Sequence, residues 1–396
     1  MILVGAAVTV ALIYWGPWNM SGNTSKGTKN LASPSTNPQA QVVDNEKAIT
    51  TGTDYLKFYA VINNTLWSWP EVNGEVDFAN TKPTIVMDGV YKILRQSNYF
   101  LKLNSTMWKF PGENKSPTFV FRNVKDFREG YQGQKYLLTN DGNLFSSKDD
   151  WQKPILTDVK QFTYYGEGEA IKNDGSLWGF GKSDFYGLGA AGRINIDPEK
   201  PFKIMDKVKD VELVWDDGPL LVGVVKKDNS FWIWGSYNSN NEGYNDKRLR
   251  ISDNVKDFSV HPWYGGFVLK SDSTLWRWAT RTKSKALSKL ADNVAKIHYP
   301  YFLTKDGDLY TIDYNRRTNL NNEGGPIKKV DNVLSFVRET YESETIATLK
   351  SGRVWSEVYG LLPEDVLKYF DSGFAVKKDG TVWKWGEKPV KLELPI

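Results

Sequence analysis

His261 and His298 are the only imidazoles in the chain, and each is followed by aromatic residues: His261-Pro262-Trp263-Tyr264 and His298-Tyr299-Pro300-Tyr301. Two imidazoles at matching positions could bind a metal ion or relay a proton. A zinc site also needs a third or fourth ligand at suitable spacing, and the sequence offers none, so neither a metal nor a cofactor is expected. The same kind of segment recurs at Tyr131, Tyr164-Tyr165, Trp215-Asp216-Asp217 and Tyr341-Glu342. Aromatic anchors rimmed by polar groups are what binding surfaces use, and flat rings also suit sugar stacking. Carboxylates in these segments (Glu167, Asp216, Asp217) leave open a hydrolytic role on a polysaccharide, which needs two carboxyls at a fixed separation. No nucleophile elbow, phosphate loop or zinc motif is present, and the absence of Cys removes thiol chemistry and disulfides. The plain alternative is that these rings only pack beneath their own loops.

The elements that must position these residues are repeated. A turn of the Asp-Gly type, an apolar residue and an aromatic recur nine times, ending at Trp67, Trp108, Phe145, Trp178, Trp232, Trp276, Tyr310, Trp355 and Trp383. The period, about 40 residues, signals a repeat architecture. Residues 254–290 display one unit. Val255-Lys256-Asp257-Phe258 reads as an alternating strand, Gly266–Lys270 as a second, Thr274–Trp278 as a third after the Asp272-Ser273 turn, and 285–290 as a fourth. Pro83, Pro201 and Pro389 open fourth strands elsewhere, as befits an edge that needs no donor. Four short antiparallel strands make one propeller blade. The chain is therefore expected to be all-β, a β-propeller of nine four-stranded blades over residues 46–396, with seven or eight blades as alternatives. Lys47–Thr50 is expected to supply the first strand. Eleven of the sixteen Trp residues lie in the repeat and are expected in the core. In a propeller the loops joining first and second strands gather on one face, which would bring the aromatic segments together.

The unit Asp174-Gly175-Ser176-Leu177-Trp178-Gly179-Phe180-Gly181, followed by Tyr186-Gly187-Leu188-Gly189, resembles the regulator of chromosome condensation repeat family. Trp234-Gly235 and Trp385-Gly386 echo its Trp-Gly step. The resemblance implies a β-propeller, usually of seven blades, and its bacterial exported members imply a secreted or cell-surface binding protein. The family's nuclear exchange role fits poorly here: net charge is only +4 with signs interspersed, so no nucleic-acid partner is expected.

Residues 1–18 contain no charged side chain, and a run this long reaches the lower limit for a spanning helix, about 17 residues. They read as a signal anchor, with a cleaved signal peptide as the alternative. Residues 19–45, rich in Ser, Thr, Asn, Gly and Pro, read as a flexible stalk. The short basic run Arg281–Lys285 reads as a solvated loop. The sequence thus points to an extracytoplasmic, membrane-tethered, monomeric module that binds a protein or polysaccharide through Tyr131, Tyr164, Tyr165, Trp215, Asp216, Asp217, His261, Trp263, Tyr264, His298, Tyr299, Tyr301 and Tyr341.

Overall fold

A computed structural model describes residues 50–54, 57–70, 76–94, 97–110, 115–130, 133–181, 200–216, 220–238, 243–278, 287–312, 325–338 and 343–394. The anchor and stalk segments, Lys47–Ile49, Tyr186–Gly189 and the basic run lie outside these residues. The described part of the first strand of the first blade is Thr50–Asp54.

Nine four-stranded antiparallel sheets follow one another along the chain, each built from consecutive strands. Their spans are 50–88, 90–121, 124–156, 159–205, 208–252, 255–291, 294–330, 333–361 and 366–391, called blades 1 to 9 below. Nine apolar clusters lie between them, each shared by two neighbours. The ninth joins Trp67 and Trp69 of blade 1 to Phe374 and Val382 of blade 9, which closes the ring. Among the described residues there is no α-helix, and no helix long and apolar enough to cross a membrane.

The first strands do not alternate as expected. Val255 and Phe258 are both buried although three residues apart. A register shift between Val255 and Asp257 explains this: Lys256 is an extra, bulged residue, and the strand resumes in phase after it. The same shift occurs at Val90/Lys92, Val159/Gln161, Val208/Asp210, Val294/Lys296, Val333/Ser335 and Val366/Lys368. The Asp after the bulge then serves the backbone. Asp126, Asp210 and Asp257 each accept the N–H of the following residue, at 2.9–3.0 Å.

The turns between second and third strands stitch the blades together. In blades 1 to 7 this turn offers a carbonyl to the first Val of the next blade: Asn64 to Val90, Ser105 to Val124, Gly142 to Val159, Gly175 to Val208, Asn229 to Val255, Ser273 to Val294 and Gly307 to Val333, all at 2.8–2.9 Å. Positive φ at these turn residues, from Asn64 to Gly307, aims the carbonyls outward. The repeated turn motif is therefore structural.

The Trp residues divide into two groups. Trp69, Trp234 and Trp278 are buried in the inter-blade clusters. Trp108, Trp178, Trp232, Trp276 and Trp383, expected in the core, are only half-buried. Each donates its indole N–H to the Ser or Thr two residues earlier, at 2.8–2.9 Å. Lysines cover four of these rings, at 4.3–5.7 Å from Trp108, Trp178, Trp276 and Trp383.

Candidate functional site: the aromatic corners of blades 4 to 7

The sequence places aromatic and His residues where the first strands of blades 4 to 7 end. Tyr164 ends one strand and Tyr165 forms the corner of blade 4; Trp215 ends the strand of blade 5; His261 ends that of blade 6; and His298 ends that of blade 7. The blade 3 corner lies flat against blade 4. A Cβ on Gly130 would fall 2.1 Å from the Tyr165 carbonyl oxygen, so no side chain fits there.

From blade 4 onward the corners touch in series. Tyr165 stacks on Trp215, centroids 4.5 Å apart and planes 17° from parallel. Beside it, the Asp216 carbonyl accepts the Trp263 indole N–H at 2.8 Å, tying blade 5 to blade 6. His261 Nδ1 accepts the Trp263 backbone N–H at 3.3 Å, which assigns the imidazole proton to Nε2. That nitrogen lies 3.6 Å from Asp216 Oδ2. The His261 ring is flanked by Tyr264 at 4.8 Å and by Tyr299 of blade 7 at 5.5 Å. Tyr299 in turn donates its backbone N–H to Ser259 Oγ. Six expected residues thus meet in one contact chain across three junctions: Tyr165, Trp215, Asp216, His261, Trp263 and Tyr299, with Tyr264 alongside.

Their exposure differs. Trp215, Trp263, Tyr264 and His298 are half-buried, whereas Tyr165, His261, Tyr299 and Asp216 are buried. Tyr164 sits in the core of the blade 3–4 junction against Tyr136 and Phe180. Tyr301 is buried between blades 7 and 8 beneath the Arg338 guanidinium. Burial, and the Glu357 carboxylate to which its hydroxyl donates, push its phenol far above the usual range. Tyr131, Asp217 and Tyr341 lie outside the described residues. His298 Nδ1 lies 3.4 Å from the Tyr299 carbonyl, so the two imidazoles have separate partners. Among the described residues no group of three His, Asp or Glu side chains could hold a metal ion.

Sequence reasoning names Glu167 but misses Glu169 and Glu212 behind this chain. Glu169 is wholly buried, as is Glu167, and both Glu169 oxygens lack a hydrogen-bond partner among the described residues. Burial, then the neighbouring Glu167, hold the Glu169 carboxyl well above the ordinary range. Glu212 accepts the Val260 N–H at 3.2 Å across the blade 5–6 junction. The available signal was Glu167-Gly168-Glu169 in a strand slot that is apolar elsewhere, as in Leu220–Val225.

A scan against protein-family models finds no match, and neither does a search of curated proteins. Among solved structures, the chain is similar to human WBSCR16, at 14% identity over 70% of this chain and 90% of that one, with a TM-score of 0.40. It is similar to Prp20p, the RCC1 of Saccharomyces cerevisiae, at 16% identity over 68% and 77%, TM-score 0.40. A eukaryotic initiation factor is similar at 11% identity over 83% and 90%, TM-score 0.44. The nine-bladed ring itself is read from this chain's own sheets and clusters. Likenesses this distant concern the fold and carry neither a partner nor a reaction.

Proposed function

We propose that the protein is a non-catalytic binding module, exported and tethered by residues 1–18, that takes a protein or an envelope polysaccharide on the corners of blades 4 to 7. The contact chain Tyr165–Trp215–Asp216–Trp263–His261 carries this reading. It holds the half-buried indoles of Trp215 and Trp263 in place, with the half-buried phenol of Tyr264 alongside, and pre-organised aromatic anchors favour binding. The carboxyls of Glu167 and Glu169 are too buried to meet a glycosidic oxygen, which weighs against a hydrolase.

The test is capture by the full chain of glycans on an array and of proteins from an envelope extract, beside a Trp215→Ala/Trp263→Ala variant of matched fold by circular dichroism. Retained ligands should be lost at least about tenfold in the variant, the scale of a central anchor. Undiminished capture would remove the aromatic corners from the binding site. Turnover of a captured glycan would favour the enzyme.

A further inference from the structure

The stitching turns lie at the opposite end of the strands from the aromatic corners, and between blades 4 and 5 they border a cavity of about 130 Å³. Four lysines line it, Lys160 and Lys172 of blade 4 and Lys209 and Lys227 of blade 5, together with Asn173 and Gly175. No acidic side chain lines it, and none of the four lysines makes an ion pair among the described residues. The carboxylates close by in sequence are engaged elsewhere. Asp158 accepts from the Asn173 amide, Asp174 from the Ser176 hydroxyl and Asp210 from the Gln161 amide, while Asp206 pairs with Lys203. Lys227 is held in position: its ammonium donates to the Asp174 carbonyl at 3.3 Å and lies over Gly175, where a Cβ would approach it to 2.8 Å.

The fold does not demand this charge. The blade 7–8 junction is built alike. The Val333 N–H donates to Gly307 as Val208 does to Gly175, the Lys350 N–H donates to Asn332 as Lys227 does to Lys207, and the Lys350 ammonium rests on the Asp306 carbonyl at 3.1 Å. Yet by register Ala295 stands there in the place of Lys160, Thr304 in that of Lys172 and Leu334 in that of Lys209, while Lys305 replaces Asn173. Lys160 and Lys209 occupy first-strand bulges and are exposed, as are Lys125 and Lys256 at the bulges of blades 3 and 6. Lys125 also reaches across to the Lys160 carbonyl, at 2.7 Å. Blades 7, 8 and 9 carry Ala295, Leu334 and Leu367 at this position. The basic stretch therefore spans blades 3 to 6, with the cavity at its middle.

Ammonium groups gathered without a counter-charge repel one another, and each offers three donors and no acceptor. A tetrahedral oxyanion relieves the repulsion and takes those donors. The cavity is well below the roughly 300 Å³ at which sites for drug-sized ligands begin, so it suits one such group. We propose that the blade 4–5 cavity is a binding site for a phosphate group, separate from the aromatic corners. The phosphate is a free ion or one link of a chain whose neighbouring groups meet Lys125 and Lys256.

Inorganic phosphate and linear tripolyphosphate, titrated calorimetrically into the full chain, test this at about 0.15 M salt, where remote charges are screened. Saturable binding should weaken at least about tenfold in Lys172→Gln/Lys227→Gln, since one hydrogen bond to a charged group is worth that factor. Lys305→Gln/Lys350→Gln removes the same charge from the blade 7–8 junction and should leave binding unchanged. Loss in Lys125→Gln/Lys256→Gln confined to tripolyphosphate assigns a chain; no loss there assigns the free ion. Trp215→Ala/Trp263→Ala should bind both probes as the wild type does, which separates this outcome from that of the corners. The inference falls if neither probe binds the wild type, or if the blade 4–5 and blade 7–8 variants lose binding alike.

Discussion

The hydroxyl two residues after each turn carboxylate decides where the repeat Trp goes. Ser176 donates to Asp174 Oδ1 at 2.6 Å and accepts the Trp178 indole N–H at 2.8 Å, so one side chain fixes both turn and ring. Thr274 and Thr381 do the same in blades 6 and 9. Ser176→Ala should therefore cost about 1 kcal/mol, the usual worth of such a bond, read as a lower urea midpoint at unchanged slope. Ser176→Thr should leave the midpoint in place. Protonation works in opposite directions at two kinds of carboxyl. Hydrogen bonds from the following Ser or Thr hydroxyls hold Asp174, Asp228, Asp272 and Asp379 below their ordinary range, so their contribution is present above the unfolded pKa and is lost as pH falls through the folded one. Glu169 is raised. Between its unfolded and folded pKa the native state holds a proton that the unfolded chain has released, so stability falls as pH rises. Glu169→Gln should flatten that decline and stabilise the protein at neutral pH relative to wild type. Urea melts from pH 4 to 8 would show it, and parallel curves for the two proteins would refute the assignment.

At the scale of the element, Gly168 and Phe180 face each other on paired strands of blade 4, and Phe180 packs against Tyr136 of blade 3. A Cβ on Gly168 would lie 2.3 Å from the Phe180 ring, a side chain locked between Tyr136 and Tyr164. Gly168→Ala should accordingly cost about 1–3 kcal/mol by overpacking, measured by thermal or urea melts. The hairpins were the most legible part of the sequence, because Asp141-Gly142, Asp174-Gly175 and Asp306-Gly307 can only be turns, and their spacing counted the blades correctly as nine. The first strands were misread as alternating, since a bulge at Lys256 or Lys209 leaves no mark in composition: the pattern Val-Lys-Asp-Phe suits either phase. The half-buried Trp178 and Trp276 were misplaced for a related reason, as an indole tethered by a turn hydroxyl looks in sequence like any core ring. For the corners, residue types were readable but meetings were not. Tyr165 and Trp215 are 50 positions apart, and their stacking depends on the packing of two whole sheets.

For the whole molecule, a ring differs from an open repeat array in having no ends. In an array each unit contacts only its neighbours, stability sums over units and junctions, and terminal units fray first. Closing the array gives every blade two neighbours, so loss of any one junction converts the ring into an array with two ends. Which junction is lost should then matter beyond its own energy. Phe374 and Phe258 are both almost wholly buried, and replacing either with Ala should cost roughly 3–5 kcal/mol. At the stitched blade 5–6 junction, the backbone hydrogen bond that the Val255 N–H donates to the Asn229 carbonyl persists after the ring is removed. The ring should stay closed, and Phe258→Ala should shift the urea midpoint at constant slope. At the blade 9–1 junction the cluster of Phe58, Trp69, Phe78 and Phe374 joins the first and last blades of the ring. Phe374→Ala should free blade 9 before the rest, so its transition should broaden and its slope fall, as expected when part of the surface is exposed early. A Phe374→Ala transition as sharp as that of Phe258→Ala would mean that the nine blades unfold as one unit whichever junction is weakened.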